Sequence, residues 1–525
     1  MEAKLEDKKI RYVLLGVMTL FFVFTRLFRL DLVPFGPHGV HVDEAGAMYD
    51  AICIKNWGVD QFMIKCPPYF RGISGTGQNA LYTYMASIVF RLLGVSIYNF
   101  RLVAVIFAVA AFISLYFLSG RLFKERIYQF TSIALMTIMP VFMMSEHWGL
   151  ESYLFLSMSI ISMNLFIQAI EKRKVQWFVS AGISWGITLY TYAISWIVVP
   201  LFLLASLAYL FYVKRIDPKE VTALALPAFI MGFPLLLQLL VMSEVIAPFS
   251  LPFMDFLPTE QFRNKSIGFS YIMDNLKHTT YVLFAADDQI YNSNVRFGLM
   301  YYVAIPFVII GMICVVIRVV KDMKNRQYDN WFFILLFYIA GRLVSLITLE
   351  PNTNRMAHLY LPLLLFVSLG IQWVIDKIKY KKTAAAVIAL AFGVSFLFFA
   401  KYFYSWSGFG ADTKASIMCA PTQIGETLAE VEQEYGSTNT INVIANEGYA
   451  NPWMMAIFTE TSPYDFKEGK INGCLFELPD ELDLSGETVY IIDNDIHHIT
   501  DYLETVGFTA DRDRCEGFAV VVKDQ

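Results

Sequence analysis

Residues 102–120 read LVAVIFAVAAFISLYFLSG, a stretch without a single charge that is flanked by Arg101 and Arg121. About 20 apolar residues are enough for a helix to cross the hydrocarbon of a bilayer. Ten further runs of this kind lie near residues 10–30, 127–145, 152–170, 175–190, 194–213, 221–243, 298–318, 331–349, 359–375 and 383–400. The sequence therefore predicts an α-helical, multi-pass membrane protein with about eleven transmembrane helices.

The composition of the whole chain agrees with a membrane protein. Of 525 residues, 56% are apolar and 17% are charged, whereas soluble domains carry about 25% charged residues. The net charge of −5, without a basic domain, excludes nucleic acid as a predicted partner. The six cysteines lack the paired spacing of a zinc site. Pairs within Cys53/Cys66 or within Cys419/Cys474/Cys515 could form disulfides on the outer side.

Lysine and arginine clusters give the orientation, because such clusters stay on the cytoplasmic side. They occur in alternate loops, at residues 4–11, 121–126, 172–174, 214–219, 318–326 and 377–382. We therefore expect the N-terminus inside and, after eleven spans, the C-terminus outside. The stretch 79–93 would invert every later loop if it crossed the membrane, so we interpret it as an amphipathic helix in the outer interface. The first apolar run has no cleavage site and is predicted to be a retained span.

The chain divides into two predicted domains, a transmembrane domain over residues 1–400 and an extracytoplasmic domain over residues 401–525. In the second domain, helical patterns such as GETLAEVEQEYG alternate with strand patterns such as TINVIA and ETVYIID. This alternation predicts a small α/β fold. The outer face of the first domain comprises four segments, at residues 31–101, 144–152, 244–297 and 350–358.

The polar residues that could carry chemistry lie in these outer segments. Within the spans only Arg342 sits deep, which disfavours an ion-coupled transporter, since such proteins usually need buried charges. Asp43 and Glu44 follow the first span and offer a general base at the membrane surface, although the pair also fits a solvated helix start. Glu151 is expected at the same depth, with the same alternative. Asp287-Asp288 is a weak candidate for a divalent metal.

These residue types fit glycosyl transfer from a lipid-linked donor. Nucleotide sugars are absent outside the cytoplasm, so a sugar donor there is carried on a lipid. A polyprenyl phosphate leaves without a general acid but needs positive charge as the bond breaks. The acceptor hydroxyl needs one carboxylate base, as in inverting glycoside chemistry. No cofactor is required by this reaction, although a divalent metal is compatible with it.

The order of features resembles the C-type glycosyltransferase superfamily, in particular the protein O-mannosyltransferases and the lipid A aminoarabinose transferases in their bacterial forms. Four motifs carry the resemblance: HVDEAGAMYDA (41–51), GTGQNALYTY (75–84), HWGLES (147–152) and NTNRMAHLYLP (352–362). Arg101 opening one span and Gly120-Arg121-Leu122-Phe123 closing it add to them. The resemblance covers about 400 residues in arrangement.

The resemblance implies the roles of individual residues. Asp43 would be the catalytic base, Glu44 its neighbour and Glu151 the second acid near the acceptor. The phosphate of the donor would be bound by Arg355 and Arg263. Lys265, Arg71 and Gln78 are further candidates from their place in the outer segments, although each of the cations also fits an interfacial anchor for anionic lipid. The acceptor or sugar pocket would include His147, Tyr82, Asn354 and His358. Relatives commonly open the interfacial helix with Lys-Pro-Pro-Leu, where this chain has Gly77-Gln78-Asn79-Ala80, and carry arginine where it has His147.

The prediction is therefore a multi-pass protein of a bacterial plasma membrane that transfers a hexosyl or pentosyl group from polyprenyl phosphate to an envelope acceptor, which could be protein, lipid or wall polymer. Two alternatives from other classes stay open: a non-catalytic envelope assembly protein whose tail binds a partner, and a transporter of lipid or glycan. A polymerase or ligase with a diphosphate-linked donor is a further enzyme alternative.

Overall fold

The computed structural model describes residues 8–33, 39–73, 75, 77–259, 268–285, 294–349, 351–414, 419–445 and 451–524. Helices make up most of this part of the chain. In chain order they are α1 (Lys8–Leu27), α2 (Val42–Trp57), α3 (Ala80–Leu93), α4 (Ile97–Leu122), α5 (Arg126–Ile138), α6 (Pro140–Ser145), α7 (Glu151–Lys172), α8 (Val175–Thr188), α9 (Ser195–Tyr212), α10 (Pro218–Met242), α11 (Ile272–Ala285), α12 (Ile305–Lys324), α13 (Trp331–Ile347), α14 (Tyr360–Lys377), α15 (Lys381–Phe403), α16 (Ala411–Lys414), α17 (Gln423–Tyr435), α18 (Asn451–Phe458), α19 (Pro463–Lys467) and α20 (His497–Thr505).

The strands are short and lie outside the long helices. They are β1 (Gly39–His41), β2 (Tyr69–Phe70), β3 (Gln78–Asn79), β4 (Phe249–Leu251), β5 (Met254–Phe256), β6 (Cys419–Pro421), β7 (Thr440–Ile444), β8 (Leu475–Phe476), β9 (Thr488–Asp493), β10 (Phe508–Cys515) and β11 (Phe518–Lys523). The last five form one sheet in the order β10-β11-β9-β7-β8. Strand β7 runs parallel to β8 and β9, while β11 is antiparallel to β9 and β10.

Each of the eleven predicted apolar runs forms helix, so the predicted α-helical membrane fold is confirmed. In the described part of the chain, eight helices are long and apolar enough to cross a membrane: α1, α4, α7, α9, α10, α12, α14 and α15. The other three runs give shorter helices. One of them is broken into α5 and α6 at Pro140, because proline has no N–H to continue the helical ladder. The number of crossings and their orientation stay predictions.

Close helix contacts hold the membrane part together. Gly311 of α12 faces the carbonyl of Phe366, and Gly370 of α14 faces the carbonyl of Phe307. A Cβ atom at either glycine would overlap the opposite backbone. Small residues at such crossings let two backbones approach within a bilayer, where the hydrophobic effect does not drive association.

The C-terminal α/β region shares a hydrophobic core with the first outer segment. Buried residues of α2, including Met48 and Ile52, belong to the same cluster as Met454 and Met455 of α18. The strand β6 pairs antiparallel with β1, which places His41 opposite Cys419. The small predicted α/β fold is confirmed, while the division at residue 401 stays a prediction. Cys53, Cys66, Cys474 and Cys515 are free thiols.

Candidate functional site

The site begins at the first turn of α2, which follows directly after β1. His41 is the N-cap residue: its backbone is extended, and its ring nitrogen Nδ1 accepts a hydrogen bond from the N–H of Asp43 at 3.1 Å. In return, Oε2 of Glu44 accepts a hydrogen bond from the N–H of His41 at 3.0 Å. This reciprocal capping box satisfies two N–H groups that the helix cannot satisfy itself. The helix therefore begins at a fixed point, one residue before Asp43.

Glu44 is completely buried and is bound from three directions. Arg101 near the N-terminal end of α4 donates to both of its oxygens, from Nε at 2.9 Å and from Nη2 at 2.8 Å. The N–H of Gly149 donates to Oε1 at 2.6 Å. Burial by itself raises the pKa of Glu44, but the charge and hydrogen bonds of Arg101, with the N–H groups of Gly149 and His41, hold that pKa below its ordinary value. Glu44 is thus an ionised anchor whose two oxygens are already engaged.

Asp43 differs sharply from its neighbour. Its side chain is 60% exposed, and its Oδ2 lies 3.7 Å from Nδ1 of His41. Successive residues on a helix point about 100° apart, so the turn that buries Glu44 leaves Asp43 facing outward. The structure therefore separates the two acids into an anchor and an accessible carboxylate.

The segment 147–151 brings a second set of predicted residues beside this helix start. Glu151, the first residue of α7, accepts hydrogen bonds from the backbone N–H of Asn79 and from its side-chain Nδ2, the latter at 3.4 Å. Because Gly149 is bonded to Glu44, Glu151 and the start of α3 are held close to the first turn of α2. Glu151 thus joins two of the sequence motifs, 75–84 and 147–152.

Tyr82 and Gly149 pack against each other behind the site. The hydroxyl of Tyr82, a buried side chain of α3, donates to the carbonyl oxygen of Phe100 at 2.9 Å. A Cβ atom at Gly149 would overlap the ring of Phe100 and lie 3.0 Å from the Tyr82 hydroxyl. Only glycine therefore fits at this position, and Tyr82 is a packing residue of the wall.

His147 lies deeper than Glu151. Its Nδ1 is 2.7 Å from the carbonyl oxygen of Met143, and its ring packs edge-on against Phe403. Burial, with a smaller contribution from Arg26, lowers the pKa of His147 to about 3. It is therefore neutral at physiological pH and does not supply the positive charge that an arginine would.

The segment 351–358 packs on the N-terminal end of α7. The ring of His358 lies between Phe155 and Phe337, with centroid distances of 5.1 and 6.2 Å. Since Phe155 is one turn beyond Glu151, this contact holds the segment near the second acid. Arg355 donates from its backbone N–H to Oδ1 of Asn352 at 3.0 Å and from its guanidinium to the carbonyl of Leu349. Asn354 is half-buried in the same turn.

The remaining predicted site residues are either peripheral or outside the described residues. Gln78 is buried in β3 opposite Phe70, and the guanidinium of Arg71 lies 5.5 Å from the ring centre of Phe62. Arg263 and Lys265, and the Asp287-Asp288 pair, fall outside the described residues. The deep Arg342 donates to the hydroxyl of Thr280 at 3.1 Å. Within the part of the chain that is described, no group of three or more His, Cys, Asp or Glu residues is arranged to hold a metal ion.

Two buried acids were missed by reasoning from the sequence. Asp50 on α2 accepts a hydrogen bond from the N–H of Gln61 at 3.0 Å, and Asp60 accepts from Phe62 and Ile64. Burial and the neighbouring charge of Asp60 raise the pKa of Asp50 well above its ordinary value, and burial raises the pKa of Asp60 to about 6. No local signal in the sequence marked this difference, since Asp50 lies seven residues after the exposed Asp43, on the same helix face.

Comparison with known proteins gives a match to one family model and matches to solved structures. Residues 79–238, from the start of α3 into α10, match the sequence model of the family described as "Dolichyl-phosphate-mannose-protein mannosyltransferase". No curated protein matches the chain by sequence.

Two solved structures of ArnT from Cupriavidus metallidurans resemble the chain. Each match covers 98% of this chain and 98% of the ArnT chain. The apo state is 12% identical with a TM-score of 0.55, and the form bound to undecaprenyl phosphate is 11% identical with a TM-score of 0.52. The Archaeoglobus fulgidus oligosaccharyltransferase tethered with an acceptor peptide containing the NVT sequon is 13% identical with a TM-score of 0.51, over 98% of this chain and 74% of that one. At these identities the likeness is one of fold. The resemblance to C-type glycosyltransferases inferred from the sequence is confirmed.

Proposed function

We propose that this chain, which has the fold of the C-type glycosyltransferases, is an inverting membrane glycosyltransferase. It moves a hexosyl or pentosyl group from polyprenyl phosphate to an acceptor hydroxyl at the outer face of a bacterial plasma membrane. In this proposal the N-terminus is cytoplasmic, and the first outer segment and the C-terminal region lie outside.

One observation carries the proposal: Asp43 is an accessible carboxylate on a rigidly held helix start. A general base must reach the proton that it removes while its support stays still. The Glu44 carboxylate supplies that support, because it accepts four hydrogen bonds. Two come from Arg101 and one each from the N–H groups of Gly149 and His41. The exposed side chain of Asp43 then has one polar partner nearby, His41.

The donor side is supported by position and by analogy. His358 of the 352–362 motif packs on Phe155 of the helix that begins with Glu151, so the segment that carries Arg355 lies at the same end of α7 as the second acid. An arginine is suited to bind a phosphate because its guanidinium donates in a fixed fork. One of the similar solved structures is described as bound to undecaprenyl phosphate, and another as tethered to an acceptor peptide. These are properties of those proteins, and they favour the same classes of ligand here.

The proposed step is a single displacement at C1 of the sugar. The oxygen of the acceptor hydroxyl attacks C1 of the sugar from the side opposite the phosphate. Its proton passes to the Asp43 carboxylate as the new C1–O bond forms. The bond between C1 and the phosphate oxygen breaks, and polyprenyl phosphate leaves with the electron pair, its charge stabilised by Arg355.

The test measures release of polyprenyl phosphate, and transfer of labelled sugar, by purified protein in lipid nanodiscs with membrane extract as acceptor. Asp43→Asn should lower transfer by about 10²–10⁴-fold without lowering the melting temperature. Asp31→Asn is the matched control, since Asp31 is an exposed aspartate of the same outer segment and should transfer like the wild type.

Equal transfer by wild type and Asp43→Asn would reject Asp43 as the base. Absence of release from the wild type across several polyprenyl-phosphate sugars would reject this donor class. Release from a diphosphate-linked donor instead would then favour a polymerase or ligase. If loss of residues 404–525 abolished function in cells while Asp43→Asn had no effect, an assembly role would replace catalysis.

A further inference from the structure

His41 lies where three parts of the molecule meet. It ends β1, it caps α2, and it stands in register with Cys419 of the C-terminal strand β6. Its side chain is buried, with 3% of the residue exposed. A buried polar ring at a junction of this kind has a defined orientation, because it cannot turn without losing its partner.

The hydrogen bond made by His41 fixes the backbone of Asp43. Nδ1 accepts from the N–H of Asp43 at 3.1 Å, so Nδ1 carries no proton and the ring is the neutral tautomer with its proton on Nε2. The edge-to-face contact with Trp148, at 5.4 Å and 81°, holds the plane of the ring. Asp43 is therefore oriented by a ring that is itself clamped between the 147–151 segment and the strand pair.

We propose that His41 is the positioning residue of the site, which fixes the first turn of α2 so that the Asp43 carboxylate faces the acceptor, and that β6 of the C-terminal region holds His41 in place. This inference rests on the proposed function for its catalytic consequence. Its geometric part stands on the contacts of His41 alone.

The charged groups around His41 predict how its capping hydrogen bond depends on pH. Burial lowers the pKa of His41; Asp43 and Glu44 on α2 oppose this, and Arg101 on α4 adds to it. Trp148 brings no charge. The capping form is the neutral one, so it persists as pH falls below 6.5 and is lost at lower pH. A protonated ring can no longer accept from Asp43, and its Nδ1–H instead faces Oδ2, 3.7 Å away, which would occupy the base.

The test compares two substitutions of His41. Asparagine is among the best N-cap residues and can accept from the same backbone N–H, so His41→Asn should keep kcat within about threefold of the wild type. His41→Ala removes the acceptor and should lower kcat by about 10–100-fold, since small displacements of a catalytic group are costly. The KM for the donor should stay unchanged in both variants. His41→Asn should also fall less steeply than the wild type at low pH.

A second readout does not need activity. Hydrogen–deuterium exchange of a peptide covering residues 39–50 should be faster in His41→Ala than in the wild type and close to wild type in His41→Asn. His498→Ala, which removes an exposed histidine of α20, is the control and should change neither exchange nor kcat. If the wild type proves inactive, the proposed function fails, while the exchange data still decide the positioning role.

Three results would overturn the inference. Unchanged exchange in His41→Ala would mean that the cap does not hold the first turn. A wild-type kcat in that variant, despite a lower melting temperature, would mean a merely structural role. Equal loss of kcat in both variants would mean that the imidazole itself takes part in proton transfer.

Discussion

The two halves of α2 each bury an acidic side chain, and they compensate for it in opposite ways. In the first turn, Glu44 faces Arg101 and two backbone N–H groups, which hold its pKa low. Two turns further on, Asp50 faces another acid, Asp60, and its pKa is raised. The Oδ2 atoms of Asp50 and Asp60 are both buried without a hydrogen-bond partner in the described structure.

The difference shows which buried acid of α2 keeps a fixed charge and which one does not. Removing a carboxylate from water is costly unless an opposite charge and hydrogen bonds replace the water. Glu44 has these and stays ionised across the physiological range. Asp50 and Asp60 accept hydrogen bonds from backbone N–H groups, but burial and the neighbouring acids outweigh these bonds and the charge of Arg71 and raise both pKa values. The pair therefore holds a proton that can be lost. The exposed Asp43 lies in the first turn of α2, beside the ionised Glu44.

The largest loss of stability is expected from substitutions in the ion pair of Glu44 and Arg101. Arg101→Met leaves Glu44 buried without its counterion and should lower the free energy of unfolding by about 3–5 kcal/mol, as Glu44→Gln should by leaving Arg101 unpaired. The double variant should cost less than the sum of the two, because no lone charge remains. Thermal unfolding in detergent measures all three.

The control for this pair is Arg91→Met. Arg91 is exposed and donates to the carbonyl oxygens of Ile54 and Lys55 at the other end of α2. Its removal should cost less than about 1 kcal/mol. Additive effects of Arg101→Met and Glu44→Gln would contradict the anchor role of this ion pair.

The next largest effect concerns Asp50 and Asp60 and the dependence of stability on pH. Because the pKa of Asp60 is raised to about 6 and that of Asp50 is raised as well, the folded protein binds more protons than the unfolded chain. The contribution of this pair to stability should therefore fall as pH rises from about 4 to above 6. Asp50→Asn should flatten this dependence and raise the free energy of unfolding at pH 8 by about 1–2 kcal/mol.

Melting temperatures across pH 4–8 give this comparison, with Asp513→Asn, an exposed aspartate of β10, as the matched control. A difference in melting temperature between the wild type and Asp50→Asn that stays constant over this interval would refute the assignment of a shared proton to Asp50 and Asp60.

A smaller effect is expected where the C-terminal region contacts the middle of α2. The hydroxyl of Tyr49 donates to the carbonyl oxygen of Thr461 at 3.1 Å, and its ring lies 4.7 Å from Phe466. Tyr49→Phe keeps the ring and loses the hydrogen bond, so it should cost about 0.5–1.5 kcal/mol. Tyr464→Phe, at an exposed position, should cost nothing measurable. No difference between the two variants would show that this contact does not hold the regions together.

The smallest effect is expected at the end of α2. Glu460 accepts from Asn56 at 2.8 Å and lies 3.4 Å from the Lys55 ammonium, but its side chain is 46% exposed. Surface ion pairs contribute little and are screened by salt. Glu460→Gln should change the free energy of unfolding by less than about 0.5 kcal/mol. A loss above 1 kcal/mol that persists in high salt would place this pair among the anchors instead.

The spans could be predicted because the signal for each lies within about 20 consecutive residues. Pro140 marks the one break between α5 and α6, and this too is local. The accessible Asp43 and the motif around Arg355 were recognisable as patterns. The separate fates of Asp43 and Glu44 were not, since the two stand side by side in the sequence. Arg101 gave a hint as a charge opening an otherwise uncharged span, but nothing local says which acid it meets.

The sequence by itself determined the apolar membrane helices and the α/β character of the tail, because apolar length and alternation act between neighbours in the chain. Only the tertiary structure decided which acid is anchored, which is exposed and which shares a proton. Glu44 meets Arg101 57 residues later and Gly149 105 residues later, and Tyr49 meets Thr461 412 residues later. The cost of a buried charge depends on such distant partners, so the roles of the acids are fixed only when the chain has folded.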